Sequence, residues 1–306
     1  SAMSGETNRL LGLAHQISPT PDMREMDSLA STGEQVSAAL VAMTIQQMGG
    51  KAKSFLGHQI RIQTDDAFTK ARIVNIEDSR LRSAVAEGNI AVVAGFQGID
   101  PGGNITTLGR GGSDTTAVAI AAAIKADVCE IYTDVDGVYT TDPNICPDAR
   151  KIERISFEEM LELASLGAKV LQIRSVEVAM KYGVPVHVRS SFTDTTGTMV
   201  ASEEGLESVV VSGVAYDKGE AKVQLVGMPD RPGIVAKIFG LLAEQNVSVD
   251  MIIQSPSSGG SSTDVTFTVA KTDLTRVKEL IEATVKELGG GQVAYDPEIA
   301  KVSIVG

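Results

Sequence analysis

The chain is poor in several residue types that support common classes of protein. Its 306 residues include no tryptophan, three histidines and two cysteines, and aromatic residues make up 4% of the total. Cys129 and Cys146 show neither metal-ligand spacing nor a disulfide framework, so we expect two free thiols. His15, His58 and His187 do not cluster in the sequence, which gives no support to a histidine-based metal site.

Positive charge and long apolar runs are also scarce. There are 27 lysines and arginines against 39 aspartates and glutamates, a formal net charge of -12. A surface of this sign repels nucleic-acid backbones and gains nothing from anionic membranes, so neither is an expected partner. Runs such as NIAVVAGF are too short to cross a bilayer and no secretory signal is visible, so we expect a cytoplasmic protein.

The chain is long enough for two domains. Residues 1–200 alternate strand-like and helix-like segments, a pattern that predicts an α/β architecture with a substantially parallel sheet. The polar, turn-rich stretch TDTTGTMVASEEGLES is interpreted as the connection to a second domain. Residues 207–306 then follow a strand-helix-strand-strand-helix-strand order, typical of the ferredoxin-like fold, with KVSIVG as the last strand.

Two helices carry clear terminal signals. STGEQVSAALVAMTIQQMGG has apolar residues at helical spacing, with Ser31 or Thr32 as the expected cap and paired glycines as the stop. In SFEEMLELASLGAKVL, Ser156 and Glu159 are expected to form a capping box.

The segment TTLGRGGSDTTA lies between a glycine-rich loop and a predicted helix. A helix N-terminus favours anions, and Gly111 and Gly112 let the backbone approach a ligand closely. Arg110 offers a planar fork for a carboxylate, and Asp114 suits an ammonium group. The alternative is a capped helix with Ser113 or Asp114 as the N-cap, but capping leaves the arginine unexplained. We therefore favour an amino acid ligand.

The segment YTDVDGVYTTDP follows a predicted strand, whose C-terminal end is where open α/β sheets bind ligands. Its carboxylates suit Mg²⁺ or a ribose, and Tyr139 suits a base; the alternative is an acidic turn. Two further residues are ambiguous from the pattern alone. A glutamate such as Glu34 at the start of a helix commonly interacts with the positive end of the helix dipole. A lysine such as Lys169 at the end of a helix commonly bonds to the last carbonyl groups.

These segments, together with STGEQVSAALVAM, VAGFQG and LGAKVLQIRSVE, resemble aspartate kinases of the amino acid kinase family. VGMPDRPGIVAKIFGLLAEQNVSVDMIIQ resembles the ACT regulatory module of the same enzymes. The resemblance covers nearly the whole chain. It implies a kinase domain over residues 1–200 and an ACT domain over 207–306, with a second ACT module beginning at the C-terminus.

The resemblance implies transfer of the ATP γ-phosphoryl group, with Mg²⁺, to the β-carboxylate of L-aspartate, the first step toward lysine, threonine and methionine. It also implies feedback by lysine and/or threonine and assembly into a homo-oligomer or hetero-oligomer through paired ACT modules. The implied substrate residues are Thr7, Glu34, Arg110, Gly111, Gly112 and Asp114, of which Glu34, Arg110 and Asp114 are the catalytic candidates. The implied nucleotide residues are Ser1, Ser113, Thr133, Asp134, Tyr139 and Lys169. The implied effector residues are Asp230, Gly233, Ile234, Val235, Ser248, Val249, Asp250, Gln254, Thr263 and Asp264.

The family's opening strand with its Lys-Phe/Tyr-Gly-Gly motif is not found in this sequence, so a truncated chain with little or no activity is expected. Two other interpretations stay open. One is an amino acid kinase that acts on glutamate or a carbamate, and the other is an effector-binding, oligomerising fragment without catalysis.

Overall fold

The computed structural model describes residues 1–168, 170–202, 211–245, 247–256, 262–289 and 291–306. It has eight α-helices within those ranges: α1 Glu6–Ile17, α2 Met23–Gln47, α3 Ser79–Ala86, α4 Gly112–Ile124, α5 Phe157–Ser165, α6 Ile173–Tyr182, α7 Ile234–Glu244 and α8 Leu274–Glu287. None of these helices is long and apolar enough to cross a bilayer.

The strands of the first part are short. They are β1 Ala52–Phe55, β2 Ile62–Thr64, β3 Ile73–Ile76, β4 Ile90–Val93, β5 Gln97–Ile99, β6 Ile105–Thr107, β7 Cys129–Thr133, β8 Val138–Tyr139, β9 Lys151–Ile152, β10 Arg154–Ser156, β11 Val186–Ser190 and β12 Thr198–Ala201. The remaining strands are β13 Gly213–Asp217, β14 Glu220–Pro229, β15 Val249–Pro256, β16 Ser262–Ala270, β17 Gln292–Asp296 and β18 Lys301–Val305.

Two compact units divide the chain: residues 1–214 with 304–306, and residues 215–303. In the first unit the predicted α/β architecture is confirmed, with mixed sheets. Parallel pairs join β1 to β4, β2 to β5, β7 to β11 and β10 to β12, while β3, β6 and β12 add antiparallel pairings. Strand β12 lies inside the stretch that the sequence predicted to be a connection, so that prediction is wrong over this strand.

Helix α2 begins earlier than predicted. Its N-cap is Asp22, whose side chain accepts a hydrogen bond from the Glu25 amide at 3.1 Å. Ser31 and Thr32, the expected caps, lie inside the helix, and their hydroxyls donate to carbonyls three residues back. Glu34 is therefore a mid-helix residue rather than a first-turn residue. The capping box that the sequence predicted at the start of α5 is confirmed.

The second unit has the predicted ferredoxin-like order, with an antiparallel sheet β15-β16-β14-β17. Buried side chains from the sheet and from α7 and α8, among them Phe267, Ile238 and Ile281, form one core. The fourth strand is β17, which pairs with β14, and not KVSIVG as predicted. KVSIVG forms β18 and pairs with β13. Both strands have five residues, but KVSIVG alternates polar and apolar residues whereas QVAYD does not, so the pattern favoured KVSIVG.

Candidate functional site

The glycine turn before α4 has a conformation that only glycine adopts easily. Gly111 is the N-cap residue, with φ of 70°, and no side chain caps the helix. The capping role that was the alternative for Ser113 and Asp114 is therefore absent. A Cβ at position 111 would lie 1.7 Å from the Cγ of Gln172. A Cβ at Gly112 would lie 2.9 Å from both the Leu108 Cβ and the Phe96 Cδ2.

The side chain of Glu34 meets this turn from α2. Glu34 is 5% exposed, and its Oε1 accepts a hydrogen bond from the Ser113 hydroxyl at 3.0 Å. The backbone nitrogen of Ser1 lies 2.9 Å from Glu34 Oε2. Glu34 is thus in direct contact with two other predicted site residues: Ser113, 79 positions away, and Ser1, 33 positions away. This contact brings a buried carboxylate to the N-terminus of α4.

Thr7 lies in the first turn of α1, and this helix packs against α2. At Gly33, the neighbour of Glu34, a Cβ would lie 3.4 Å from the Leu10 Cδ1 and 3.2 Å from the Ala2 Cβ. The small residue at 33 therefore allows the N-terminal segment to approach the helical turn that carries Glu34.

Arg110 and Asp114 flank the turn in different environments. Arg110 is exposed and has no hydrogen bond or ion pair with any residue that the structure describes. Asp114 is partly buried in the first turn of α4, and burial raises the pKa of its carboxyl group. No direct contact joins the two side chains, so their convergence on one ligand stays a prediction.

A second group of predicted residues follows β7. The Thr133 hydroxyl donates to Asp134 Oδ1 at 3.2 Å, and Asp134 is exposed. The hydroxyl of Tyr139 donates to Asp136 Oδ1 at 2.9 Å, and this hydrogen bond raises the pKa of the tyrosine. Sequence reasoning missed Lys151, whose Nζ lies 3.3 Å from Asp136 Oδ2.

Asp136 is held in its charged form by these neighbours. Burial opposes ionisation, but the hydrogen bonds from Tyr139 and Lys151 outweigh it and lower the pKa of Asp136. Asp136 is thus occupied by protein partners, whereas Asp134 keeps its exposed face. Lys169, also predicted here, lies outside the described residues. Within the described ranges no group of three or more histidine, cysteine, aspartate or glutamate side chains is arranged to hold a metal ion.

The predicted effector residues lie in two segments of the second unit. Gly233, with φ of 90°, is the N-cap residue of α7 and follows the exposed Asp230 by three residues. The Ile234 side chain is 8% exposed and belongs to the core, with Val235 packed against that core. Any ligand contact by Ile234 would therefore come from its backbone.

The other segment comprises Ser248, the edge strand β15 and the start of β16. Ser248 is exposed, Val249 is partly buried, and Gln254 Nε2 donates to the Thr263 hydroxyl at 3.2 Å. The carboxylate of Asp264 accepts from the Gly227 amide at 2.8 Å. Asp250 forms an ion pair with Lys301, and this bond lowers the pKa of Asp250.

Comparison with known proteins identifies the class of protein that this fold and site define. Residues 1–190 match the model of the amino acid kinase family, and residues 224–288 match that of the ACT domain. An aspartate kinase of Pseudomonas putida is 54% identical over 308 residues, covering 100% of this chain and 75% of its own length.

Solved structures of aspartate kinases are also similar to this chain. The aspartate kinase from Synechocystis has a TM-score of 0.60 at 45% identity, with 100% of this chain and 53% of that chain covered. E. coli aspartokinase III with aspartate and ADP (R-state) has a TM-score of 0.76 at 30% identity, with 98% and 67% covered. The same enzyme with lysine and aspartate (T-state) has a TM-score of 0.75 at 29% identity, with 98% and 67% covered. The chain belongs to the aspartate kinases.

Proposed function

We propose that this protein transfers the γ-phosphoryl group of ATP to the β-carboxylate of L-aspartate and so forms 4-phospho-L-aspartate. The observation that carries the proposal is the 3.0 Å contact between Glu34 and Ser113, which joins a buried carboxylate to the N-terminus of α4. A carboxylate suits the ammonium group of an amino acid, and a helix N-terminus suits a phosphoryl group. The E. coli relative that binds aspartate and ADP supports the choice of ligands.

The substrate residues have distinct proposed roles. Glu34 and Asp114 pair with the ammonium group of aspartate, and Thr7 borders it. Arg110, exposed and without a partner in the described ranges, binds a carboxylate through its planar fork. Gly111 and Gly112 form the wall of the site because neither position has room for a side chain. Catalysis by this arrangement relies on positioning and charge neutralisation rather than on a protein nucleophile.

The nucleotide would bind beside this turn. The proposed contacts to it are Ser1, Ser113, Thr133, Asp134, Tyr139 and Lys169. Mg²⁺ usually keeps several waters and binds one or two carboxylates plus substrate phosphates. The exposed Asp134 fits that requirement, and the ion would neutralise charge on the phosphates when bound.

For the second unit we propose feedback control by lysine and/or threonine. The ligand residues would be those around Asp230 and Gly233 and those of β15 and β16 named above. Pairing with another ACT module, in a homo-oligomer or hetero-oligomer, would use the open edge of β15, where Met251, Ile252 and Ile253 are about half exposed. The effector would act by binding one global state more tightly than the other.

The proposal is tested by measuring phosphoryl transfer with L-aspartate and with L-glutamate as acceptors. We expect aspartate to be the preferred acceptor. Glu34→Gln keeps the size of the side chain and its bond to Ser113 but removes the charge, so the KM for aspartate should rise about tenfold or more, since a tenfold change corresponds to about 1.4 kcal/mol.

Glu25→Gln is the matched control, because Glu25 lies on the same helix and its side chain is 66% exposed. This variant should leave both kinetic constants unchanged. Preference for glutamate, or an unchanged KM in Glu34→Gln, would contradict the proposal. Binding of lysine or threonine without any phosphoryl transfer would instead favour an effector-binding protein without catalysis.

A further inference from the structure

The first turn of α6 lies directly against the glycine turn. Gln172, the N-cap residue of α6, has its Cγ 1.7 Å and its Cδ 2.5 Å from the place where a Cβ of Gly111 would be. Its amide group has no hydrogen bond to any residue within the described ranges. The side chain of Gln172 therefore forms a wall of the turn and does not cap its own helix.

Arg174, two residues after Gln172 and also in the first turn of α6, binds the backbone that leads into the glycine turn. Its Nη1 donates to the Leu108 carbonyl at 2.6 Å, and its Nη2 donates to the Ala71 carbonyl at 2.8 Å. Leu108 is 1% exposed and Ala71 is fully buried, so with Arg174 in place these carbonyls are bonded by the protein and not by bulk water. The planar fork of arginine is suited to hold two acceptors at a fixed spacing, and its charge strengthens both bonds.

The two carbonyls belong to chain segments that are already joined to each other. The Ala71 amide donates to the Thr107 carbonyl at 2.9 Å, immediately before Leu108. Arg174 thus connects the start of α6 to the segments that contain Ala71 and Leu108. Leu108 lies two residues before Arg110. The guanidinium has no carboxylate partner among the described residues, so its only strong bonds there are those to the backbone.

We propose that Arg174 is a positioning residue for the amino acid site. It fixes the Leu108 carbonyl, and through it the turn that carries Arg110 and begins α4, while Gln172 limits the turn from the other side. The proposal rests on the proposed function, because it assumes that this turn holds the amino acid. Loss of the guanidinium then displaces the turn. In a well-aligned active site, a displacement of about 1 Å can lower the reaction rate on the order of a hundredfold.

The test uses Arg174→Met and Arg174→Lys in the whole protein, with Arg82→Met as the matched control. Arg82 also donates to a backbone carbonyl, that of Ala123, at 3.0 Å, but it lies on α3. Binding of L-aspartate and of ADP is measured by isothermal titration calorimetry, and thermal stability is measured for each variant. Arg174→Met should weaken aspartate binding about tenfold or more and ADP binding by a smaller factor, because Ser113 is one of six proposed nucleotide contacts and the other five lie outside this turn.

Arg174→Lys keeps the charge but cannot hold both carbonyls with one fork, so its aspartate affinity should fall between those of Arg174→Met and the unmodified protein. This variant decides the question if Arg174→Met does not fold. Arg82→Met should lower Tm without changing either affinity. A folded Arg174→Met that binds aspartate as tightly as the unmodified protein would overturn the inference, as would equal losses for aspartate and ADP.

Hydrogen exchange separates this inference from the proposed substrate. The amides of residues 109–114 should exchange faster in Arg174→Met than in Arg82→Met, whether or not a ligand is present. Unchanged exchange in these amides would refute the positioning role. An unmodified protein that binds ADP but not aspartate would refute the proposed substrate, while the exchange result would still test Arg174.

Discussion

Gly111→Ala tests the geometry of the glycine turn more directly than any other single substitution. At φ of 70° an alanine costs about 1–2 kcal/mol, because its Cβ approaches the following carbonyl oxygen. The new Cβ would also lie 1.7 Å from Gln172 Cγ, which obliges the glutamine to leave its rotamer at a cost of about 1 kcal/mol. The total is about 2–3 kcal/mol, or roughly 4–12 °C in Tm for a unit of this size.

Gly183→Ala isolates the backbone contribution. Gly183 also has a positive φ, 64°, but a Cβ there would meet nothing within 4 Å. Its Tm should therefore fall by the backbone cost alone, about 1–2 kcal/mol, and its affinity for aspartate should not change. Gly111→Ala should lower Tm further and weaken aspartate binding, measured by thermal denaturation and titration calorimetry.

A second substitution checks the cause of the difference. Gln172→Ala removes the Cγ and Cδ but leaves the Cβ, which would lie 2.7 Å from the new Cβ. The double variant Gly111→Ala with Gln172→Ala should therefore recover part of the lost stability, as measured in a double-mutant cycle. If Gly111→Ala is no less stable than Gly183→Ala, or if the cycle shows no coupling, the contact argument is refuted.

Two further predictions concern charges away from the turn. Burial raises the pKa of Asp27 in the folded protein above its ordinary value of 3.8. The protonated form therefore contributes stability below about pH 3.8, and this contribution is lost as the pH rises through the pKa of the folded protein. Asparagine at this position does not titrate, so the Tm of Asp27→Asn should rise relative to that of the unmodified protein between about pH 4 and about pH 7. A relative Tm that falls over this range would contradict the prediction. Lys301→Met should destabilise residues 215–303 by about 2 kcal/mol in urea unfolding, since it leaves the carboxylates of Glu220 and Asp250 without their ammonium partner. Lys222→Met is its control, because the Lys222 ion pair spans 3.9 Å and is exposed, so a similar loss there would refute the assignment.

Local sequence patterns predicted much of the architecture. Hydrophobic periodicity located α4, α7 and α8, and the capping box at Ser156 and Glu159 formed as expected. Errors arose where the deciding contact was outside the pattern. The apolar spacing of α2 is compatible with a start at Ser31, whereas the helix in the structure begins at Met23 and is capped by the bond between Asp22 and the Glu25 amide.

The contacts that build the site could not be predicted from local patterns. Glu34 looked like a first-turn residue, yet it is buried in mid-helix against Ser113, 79 positions away. Arg174 bonds to carbonyls 66 and 103 positions away, and nothing in QIRS indicates that its charge has backbone partners. Residue type indicates which bonds a side chain can make, whereas the partner depends on how the strands pair.

These long-range bonds explain why the turn should respond to substitution by moving rather than by unfolding. Asp27 binds the amide and hydroxyl of Thr107 before the turn, Arg174 binds the next carbonyl, and Glu34 binds Ser113 after it. Each bond comes from a different part of α2 or from α6, so the loss of one leaves the others to hold the fold. The remaining bonds no longer fix the turn in all directions, and a small displacement acts first on ligand geometry. Single substitutions at these positions should consequently change aspartate binding by a larger factor than their effect on Tm alone would indicate.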